Sequence, residues 1–580
     1  MGLALPFAVF VFSLLTLHGR DTSRKSIPHA SFRHSLLKAL VSLGTTSLVI
    51  IELLGIAKAI SGPSVTLAWL IVLFAWLTVG LRTGHLLDGF NAVRKAKMPT
   101  SWAVRGVIGA MSLVAALLLF LAWISASNNV DSLLYHLPRV AYWTQSGSLQ
   151  HYAANYHHQL SMPIWAETAI LQFRVLVGTD DLSNLVQWAG MAGSVLGVSA
   201  IAALMRGSTW TQLVAAAYAI SIPMGVLQAT STQNDHVVSL WMVCLAYFIV
   251  YEVTQKGRSS EWMYVGLALG LGLLTKATAY VYALPFLTWF LAASIRNLGA
   301  GRALRTSVFV AALAVLLNLG YWSRNMTTYS TPFGPSVFVQ RALSFVPKTL
   351  DMESAESSND LGSSDGGFLR RTTTAMARNL MTPHTGINRA VTARISETGI
   401  VLPEYEEQMA HAIWNFEDTA GNPLHLLAVP VSIALLAVAA WKRLLDGGSW
   451  IWIYLACAGA GYLLLANVIS NGASVFGLRF QLTFFILWAP LVGMSMLASG
   501  NRYLSVLGAA TYLLAAIPWV VLNNTRPLTT FNESTTRIES VLTASESEVM
   551  FAMAPHLRDE YTQLGSIVTS SECKEVGYRI

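Results

Sequence analysis

Asn128-Asn129-Val130-Asp131-Ser132-Leu133-Leu134-Tyr135-His136-Leu137-Pro138-Arg139-Val140 follows directly on an apolar run that spans about residues 103–125. An acid, a histidine and an arginine therefore sit just beyond the end of a membrane-length helix. Ionisable groups at a bilayer boundary are costly and often mark a working site. About a hundred residues on, Gln233-Asn234-Asp235-His236 places a second acid at the start of another apolar run. Whether both acids reach the same side of the membrane is a question of topology.

The chain as a whole supports the membrane reading. Its 580 residues are 54% hydrophobic and 12% charged, with a mean hydropathy of +0.52. Soluble domains carry about 25% charged residues, so the fold class is an all-α polytopic membrane protein. The 18 Trp and 19 Tyr suffice for interfacial belts. The net charge of +7 does not indicate nucleic acid, because the basic residues fall in short loops between apolar segments, as orientation signals do. Cys244 and Cys457 lie in apolar runs and Cys573 in the tail, so no disulfide framework or metal spacing is expected. The run from Leu3 to about Leu17 lacks a basic leader and a clear cleavage site, and is expected to be a retained helix, with a signal sequence as the alternative.

Spans of roughly 20 apolar residues are expected near 3–18, 37–60, 65–85, 103–125, 184–205, 209–229, 235–253, 262–275, 277–295, 306–322, 425–441, 449–468, 479–497 and 503–522, about fourteen in all. Basic residues orient them. One set of loops holds Arg20, Arg24, Lys25, Arg33 and Lys38; Arg94, Lys95, Lys97 and Arg105; Arg206; Lys256 and Arg258; Arg296, Arg302 and Arg305; Lys442 and Arg443; and Arg502. These share one side if segment 161–178 does not cross. That segment carries Glu167, Gln172 and Arg174, and reads as an amphipathic helix lying along the interface. Asp131, Asp235, Lys276, Arg324 and Arg479 then all reach the extracytoplasmic face.

Two longer polar regions fall on that face. One runs from about 323 to 424 and includes the Ser/Asp/Gly-rich stretch 353–367, expected to be a mobile loop. The other is the tail from about 523, too short for an enzyme domain of its own but able to dock on the loop. Nucleotide fingerprints, P-loops and nucleophile elbows are lacking.

Asp131 suits a general base for an incoming hydroxyl, and equally an N-cap for the amphipathic stretch Ser132 to Trp143. Asp235 also fits a cap at the positive end of a helix dipole. Two acids beside His136, His151, His157 and His158 could hold a divalent cation, yet no H-E-x-x-H or similar spacing exists. Tyr152 to Gln159 suits sugar faces and hydroxyls, and also a headgroup-level belt. Lys276, Arg324-Asn325 and Arg479 suit a phosphate, against plain snorkelling at helix ends. Three cations on one face with two acids favour an anionic ligand.

These pieces resemble the membrane-embedded glycosyltransferases of the GT-C class. In particular they resemble the bacterial relatives of protein O-mannosyltransferases and aminoarabinose transferases (glycosyltransferase family 39-like). Asp131 to Val140 with Trp143 resembles their first extracytoplasmic loop, and Pro163-Ile164-Trp165-Ala166-Glu167 a Pro-containing juxtamembrane helix. Thr232-Gln233-Asn234-Asp235 resembles the second-loop acid, and Gly266-Leu267-Ala268-Leu269-Gly270-Leu271-Gly272-Leu273-Leu274-Thr275-Lys276 a Gly-rich helix ending in Thr-Lys. Trp322-Ser323-Arg324-Asn325 with Pro332-Phe333-Gly334-Pro335 resembles an Arg-Asn and Pro-Gly loop. The likeness covers about 103–335 well and the later helices loosely.

The resemblance implies a GT-C-like helical fold with extracytoplasmic juxtamembrane helices. Three additional helices would occupy 1–100, a catalytic core 101–325 with its first loop at 126–183, an extracytoplasmic loop 326–424, further helices 425–522 and an extracytoplasmic tail 523–580. It implies inverting transfer of a sugar from a polyprenyl-phosphate donor to a glycan, lipid or protein acceptor, outside a bacterial plasma membrane. Asp131 would be the base and Asp235 a second acid. Tyr135, His136, Arg139, His157, His158, Glu167, Lys276, Arg324, Asn325 and Arg479 would bind substrate, with Lys276, Arg324 and Arg479 holding the lipid phosphate. One departure stands out: many relatives have a second acid beside the first, where this chain has Ser132. That weakens any metal requirement and any close analogy to protein O-mannosylation. Competing readings are a glycolipid flippase, which should place its charges near the midplane, a lipid-linked glycan ligase, and a scaffold that leaves the one-sided charges unexplained.

Overall fold

A helix that is apolar all round lies in a protein core or against lipid, and the helix beginning at Asp235 is of the core kind. In the computed structural model 89% of the apolar window of Asp235–Gln255 is buried, against 17% for Gly62–Arg82 and 28% for Trp102–Ile124. The structure describes residues 2–23, 32–97, 99–256, 261–335, 367–445, 450–469, 472–530 and 538–571. The Ser/Asp/Gly-rich stretch up to 366, with Arg24, Lys25, Arg258 and Cys573, lies outside them.

The Asp235 helix is the hub. Leu185–Leu204, Trp262–Leu273, Thr278–Leu298 and Leu482–Ser495 pack around it, and Trp102–Ile124 and Arg502–Val521 lie further out. Glycines permit the closest approaches. A Cβ at Gly270 would fall 2.9 Å from Leu317 of the Ala300–Tyr329 helix, and one at Gly272 2.4 Å from Met242 of the hub.

The described residues are helical or irregular, with no strands, and eleven helices are long and apolar enough to cross a membrane. The chain is thus an all-helical integral membrane protein. Of the fourteen expected spans, three are absent from the eleven. Ala4–Ser23 forms a helix outside that set. The expected 209–229 span breaks into Thr209–Ile220 and Pro223–Gln228, because Pro223 has no N–H to continue the ladder and restricts Ile222 before it. Trp262–Leu273 has 12 residues, a rise of roughly 18 Å.

Segment 161–178 gives the helix Trp165–Val177, whose 13 residues rise roughly 20 Å, short of the ~30 Å hydrocarbon core. Gln172 and Trp165 turn inward onto the N-terminal helices. Gln172 accepts from Trp69 Nε1 (3.0 Å) and donates to Ser47, and Trp165 Nε1 donates to the Gly44 carbonyl (3.1 Å). The N-terminal helices are therefore built into the core. Ala4–Ser23 also lies against His85–Arg94 with the backbones of Gly19 and Gly89 nearly touching, where a Cβ on Gly19 would fall 1.8 Å from the His85 carbonyl.

Candidate functional site

Pro138 shapes the first loop. Lacking an N–H, it cannot donate to the Leu134 carbonyl four residues back. The ladder shifts to a π turn over Ser132–His136, in which the Leu137 N–H donates to the Ser132 carbonyl. The freed Leu134 carbonyl accepts from Gln159 Nε2 at 2.7 Å. The turn begins under Asn129, whose Oδ1 accepts from the Ser132 N–H (2.7 Å) and hydroxyl (2.6 Å). Asn129 does the capping, and Asp131 makes no side-chain cap bond. π turns of this kind are frequent at functional sites.

Released from capping, Asp131 extends to Arg479, with Oδ2 2.5 Å from Nη1. Arg479 lies in the 3₁₀ turn Val475–Gln481, fixed at its start by Ser474 Oγ, which accepts from the Gly477 N–H. The same Nη1 lies 3.1 Å from Asp418 Oδ1, which also accepts from Gln233 Nε2 at 2.5 Å. One guanidinium thus serves two carboxylates. Burial opposes ionisation of Asp131 most strongly, but Arg479, His136 and Lys276 together outweigh it and hold the acid below the usual carboxylate range. Asp418 moves the other way, pushed up to about 6 by burial and by the charge of Asp131.

Asp235 is the first residue of its helix and makes no cap bond. Asn234 stands at the cap position and instead donates to the Thr275 carbonyl (3.2 Å). Asp235 Oδ1 meets Lys276 Nζ at 2.6 Å. Lys276 stands in the break between Trp262–Leu273 and Thr278–Leu298, where the Trp165 N–H donates to the Leu274 carbonyl (2.8 Å). Burial lowers its pKa, while Asp235 works against that. Lys276 and Arg479 share the ring of Phe480, with cation-to-centroid distances of 4.7 and 5.3 Å. Asp131, Asp235, Lys276 and Arg479, all expected on one face, therefore form one cluster with Asp418. Three acids and two cations leave it net negative, with Asp131 and Lys276 about 20% and 16% exposed.

The other expected site residues fall into separate groups. His136, Arg139 and Glu167 are fully buried together. Glu167 Oε1 meets His136 Nδ1 at 2.8 Å and Arg139 Nη1 at 3.2 Å. Arg139 also donates to the carbonyls of Gln159, His158 and Pro163, so it closes the Tyr152 to Gln159 segment against the helix Leu137–Ser146. Tyr135 is buried with its ring 3.9 Å from that of His136, and His157 is exposed. The Tyr156 and His158 rings stack at 4.6 Å, and burial with the negative charge of Asp131 raises the Tyr156 hydroxyl. Arg324 makes a double hydrogen bond to Glu52 of the second helix (2.8 Å each), and Asn325 Nδ2 donates to the Pro332 carbonyl (2.9 Å).

Asp418, Gln233, Phe480 and Glu52 were not among the expected site residues. Of these, Gln233 stands two residues before Asp235 in a polar run and Glu52 is an acid near the end of an apolar span, whereas Asp418 and Phe480 carry no local signal. A further buried group joins the tail to the first loop. Arg526 Nη2 pairs with Glu417 (2.7 Å), and Arg526 Nη1 donates to Asn128 Oδ1 (2.5 Å). Asn128 Nδ2 donates to the carbonyls of Thr525 and Val549. Among the described residues, the grouping with metal-ligand spacing is Asp21, His34 and Glu261, and Lys38 Nζ already lies between its two acids at 2.8 and 3.2 Å.

Fold and cluster together define an integral membrane protein with paired acids and cations gathered at one end of its helices. Residues 168–322, about a quarter of the chain, match the family model described as dolichyl-phosphate-mannose-protein mannosyltransferase, a glycosyltransferase family that uses a lipid-linked donor. The match bears out the resemblance drawn from the sequence over these residues, which include Asp235, Lys276 and the start of the Trp322-Ser323-Arg324-Asn325 motif. Asp131, Asp418 and Arg479 lie outside it. No curated protein and no solved structure matches significantly.

Proposed function

We propose that this chain transfers a sugar, with inversion, from a polyprenyl-phosphate donor to an acceptor hydroxyl at the extracytoplasmic face of a bacterial plasma membrane. The observation that carries the reading is that Asp131 and Asp235 are each paired to a different cation, and both cations lie against one ring, Phe480. A donor phosphate entering there competes with the carboxylates for Arg479 and Lys276. Once Arg479 turns to the phosphate, Asp131 loses the strongest of the charges that hold its pKa down, and burial, the largest opposing cause, shifts it upward. Donor binding thus converts a salt-bridged acid into a stronger base.

Asp131 takes the proton of the acceptor hydroxyl, whose oxygen attacks the anomeric carbon. The bond from that carbon to the phosphate oxygen breaks, and the polyprenyl phosphate leaves with its charge on Lys276 and Arg479. Asp235 positions Lys276. Tyr135, His157 and His158 line the sugar side. His136, Arg139 and Glu167 hold the π turn that carries Asp131, and Arg324, steadied by Glu52, with Asn325 holds the neighbouring loop at the lipid side.

The test is turnover by purified protein in lipid, using a panel of polyprenyl-phosphate sugars and measuring release of polyprenyl phosphate with and without acceptor extracts. Asp131→Asn is expected to lose roughly 10²- to 10⁴-fold in rate and Lys276→Ala roughly 10²- to 10³-fold. If no donor turns over while labelled glycolipid crosses the bilayer, the chain is a flippase and Asp131 a binding residue.

A further inference from the structure

The far ends of the same helices enclose a cavity that the transfer reaction does not use. It has a volume of about 320 Å³ and is lined by Glu252, Trp262, Phe290, Asn297, Arg302 and Arg305, among others. This lies within the range of small-ligand sites, roughly 300–1,000 Å³. The rise from Asp235 to Glu252 along one helix is roughly 25 Å at ~1.5 Å per residue. The cavity is therefore close to a bilayer thickness from the Asp131–Arg479 cluster, and no single phosphate reaches both.

The lining divides by chemistry. Trp262 and Phe290 form an apolar wall, with Phe290 4% exposed and Trp262 packed edge-on against Phe309 at 4.6 Å. Arg302 and Arg305, one turn apart in the first turns of Ala300–Tyr329, form the charged rim. Both are exposed and neither makes an ion pair or hydrogen bond among the described residues. Glu252 is engaged, accepting the Glu261 N–H at 2.6 Å. Trp262 suits the headgroup level of a membrane. Paired arginines beside an apolar wall match a phosphodiester that carries acyl chains. Basic pockets between membrane helices are known to take such headgroups.

We infer that this cavity binds an anionic phospholipid of the leaflet opposite the transfer site, its phosphate on Arg302 and Arg305 and an acyl chain along Trp262 and Phe290. Delipidated full-length protein would be titrated with phosphatidylglycerol and with phosphatidylcholine and its lipid adducts counted by native mass spectrometry. Wild type should take phosphatidylglycerol in preference. Arg302→Gln with Arg305→Gln should weaken that binding by roughly 5-fold for each arginine with the melting temperature unchanged. Arg94→Gln with Lys95→Gln, exposed basic residues outside the cavity, should leave it intact. Equal uptake of the two lipids overturns the inference. So does an equal effect of both double variants, which would mean general surface charge, or displacement of the lipid by millimolar inorganic phosphate, which would mean a free-phosphate site. None of these readouts depends on turnover, so failure here is distinct from failure of the transferase reading.

Discussion

At the scale of the residue, the sharing of Arg479 between two acids decides the charge of the site. Asp131 and Asp418 face one guanidinium, and their environments drive their pKa values apart. Pairs separated in this way often mark acid and base roles. With Asp418 near about 6, acidification through that value adds a proton there and removes one negative charge from a cluster that must admit a phosphate. The KM for donor should therefore fall as the pH drops from 7 to 5. Asp418→Asn should show the low KM throughout, with the step near about 6 gone. A step that survives in Asp418→Asn would assign the titration to another group. Asp131 was legible in the sequence because it stands beside a helix end in a run of polar residues. Asp418 was not, since it lies in a long polar region where acids are ordinary, and only its approach to Arg479 sets it apart.

At the scale of the element, the first loop is a small buried polar structure in which Glu167 is held by both Arg139 and His136. Burial works against the Glu167 carboxylate, and Arg139 and His136 overcome this, so its pKa ends below the ordinary 4.5. A depressed carboxylate contributes stability above its unfolded pKa and loses it as the pH falls through the folded value. The melting-temperature gap between wild type and Glu167→Gln should accordingly narrow on acidification below about 4.5. Arg139→Leu, which strands the charge of Glu167, should cost about 3–5 kcal/mol at neutral pH by thermal or denaturant unfolding. The amphipathic character of segment 161–178 was readable from Glu167, Gln172 and Arg174. The partners of its polar face were not, because nothing in the local sequence around Ser47 or Trp69 marks either as facing Gln172. Similarly, the break at Pro223 was a local signal inside a long apolar run, and hydropathy averaged over that run hides it.

At the scale of the whole molecule, the last helices and the tail complete what the first loop begins. Arg526, Glu417 and Asn128 come from three separate regions and are fully buried together. Arg526→Leu should destabilise by about 3–5 kcal/mol because Glu417 is left without a counter-charge. The double variant with Glu417→Gln should recover part of that loss, and the difference measures their coupling. Additive losses would mean the pair is not coupled. The membrane class and most of the helices were legible from composition and run length, which depend only on local sequence. The joining of tail to first loop was not, as it rests on pairing between residues hundreds of positions apart.

The Asp131–Arg479 pair has a bearing on how the protein is made. The two partners are 348 positions apart, so at about 5–20 residues per second a ribosome works for roughly 17–70 s between them. Throughout that time the nascent chain holds its acid without its guanidinium, and the cluster cannot form. A polypeptide halted before the helix Leu482–Ser495 is inserted would present a lone carboxylate at the membrane surface. Competence thus arrives late in biogenesis, with one of the last helices to enter the bilayer.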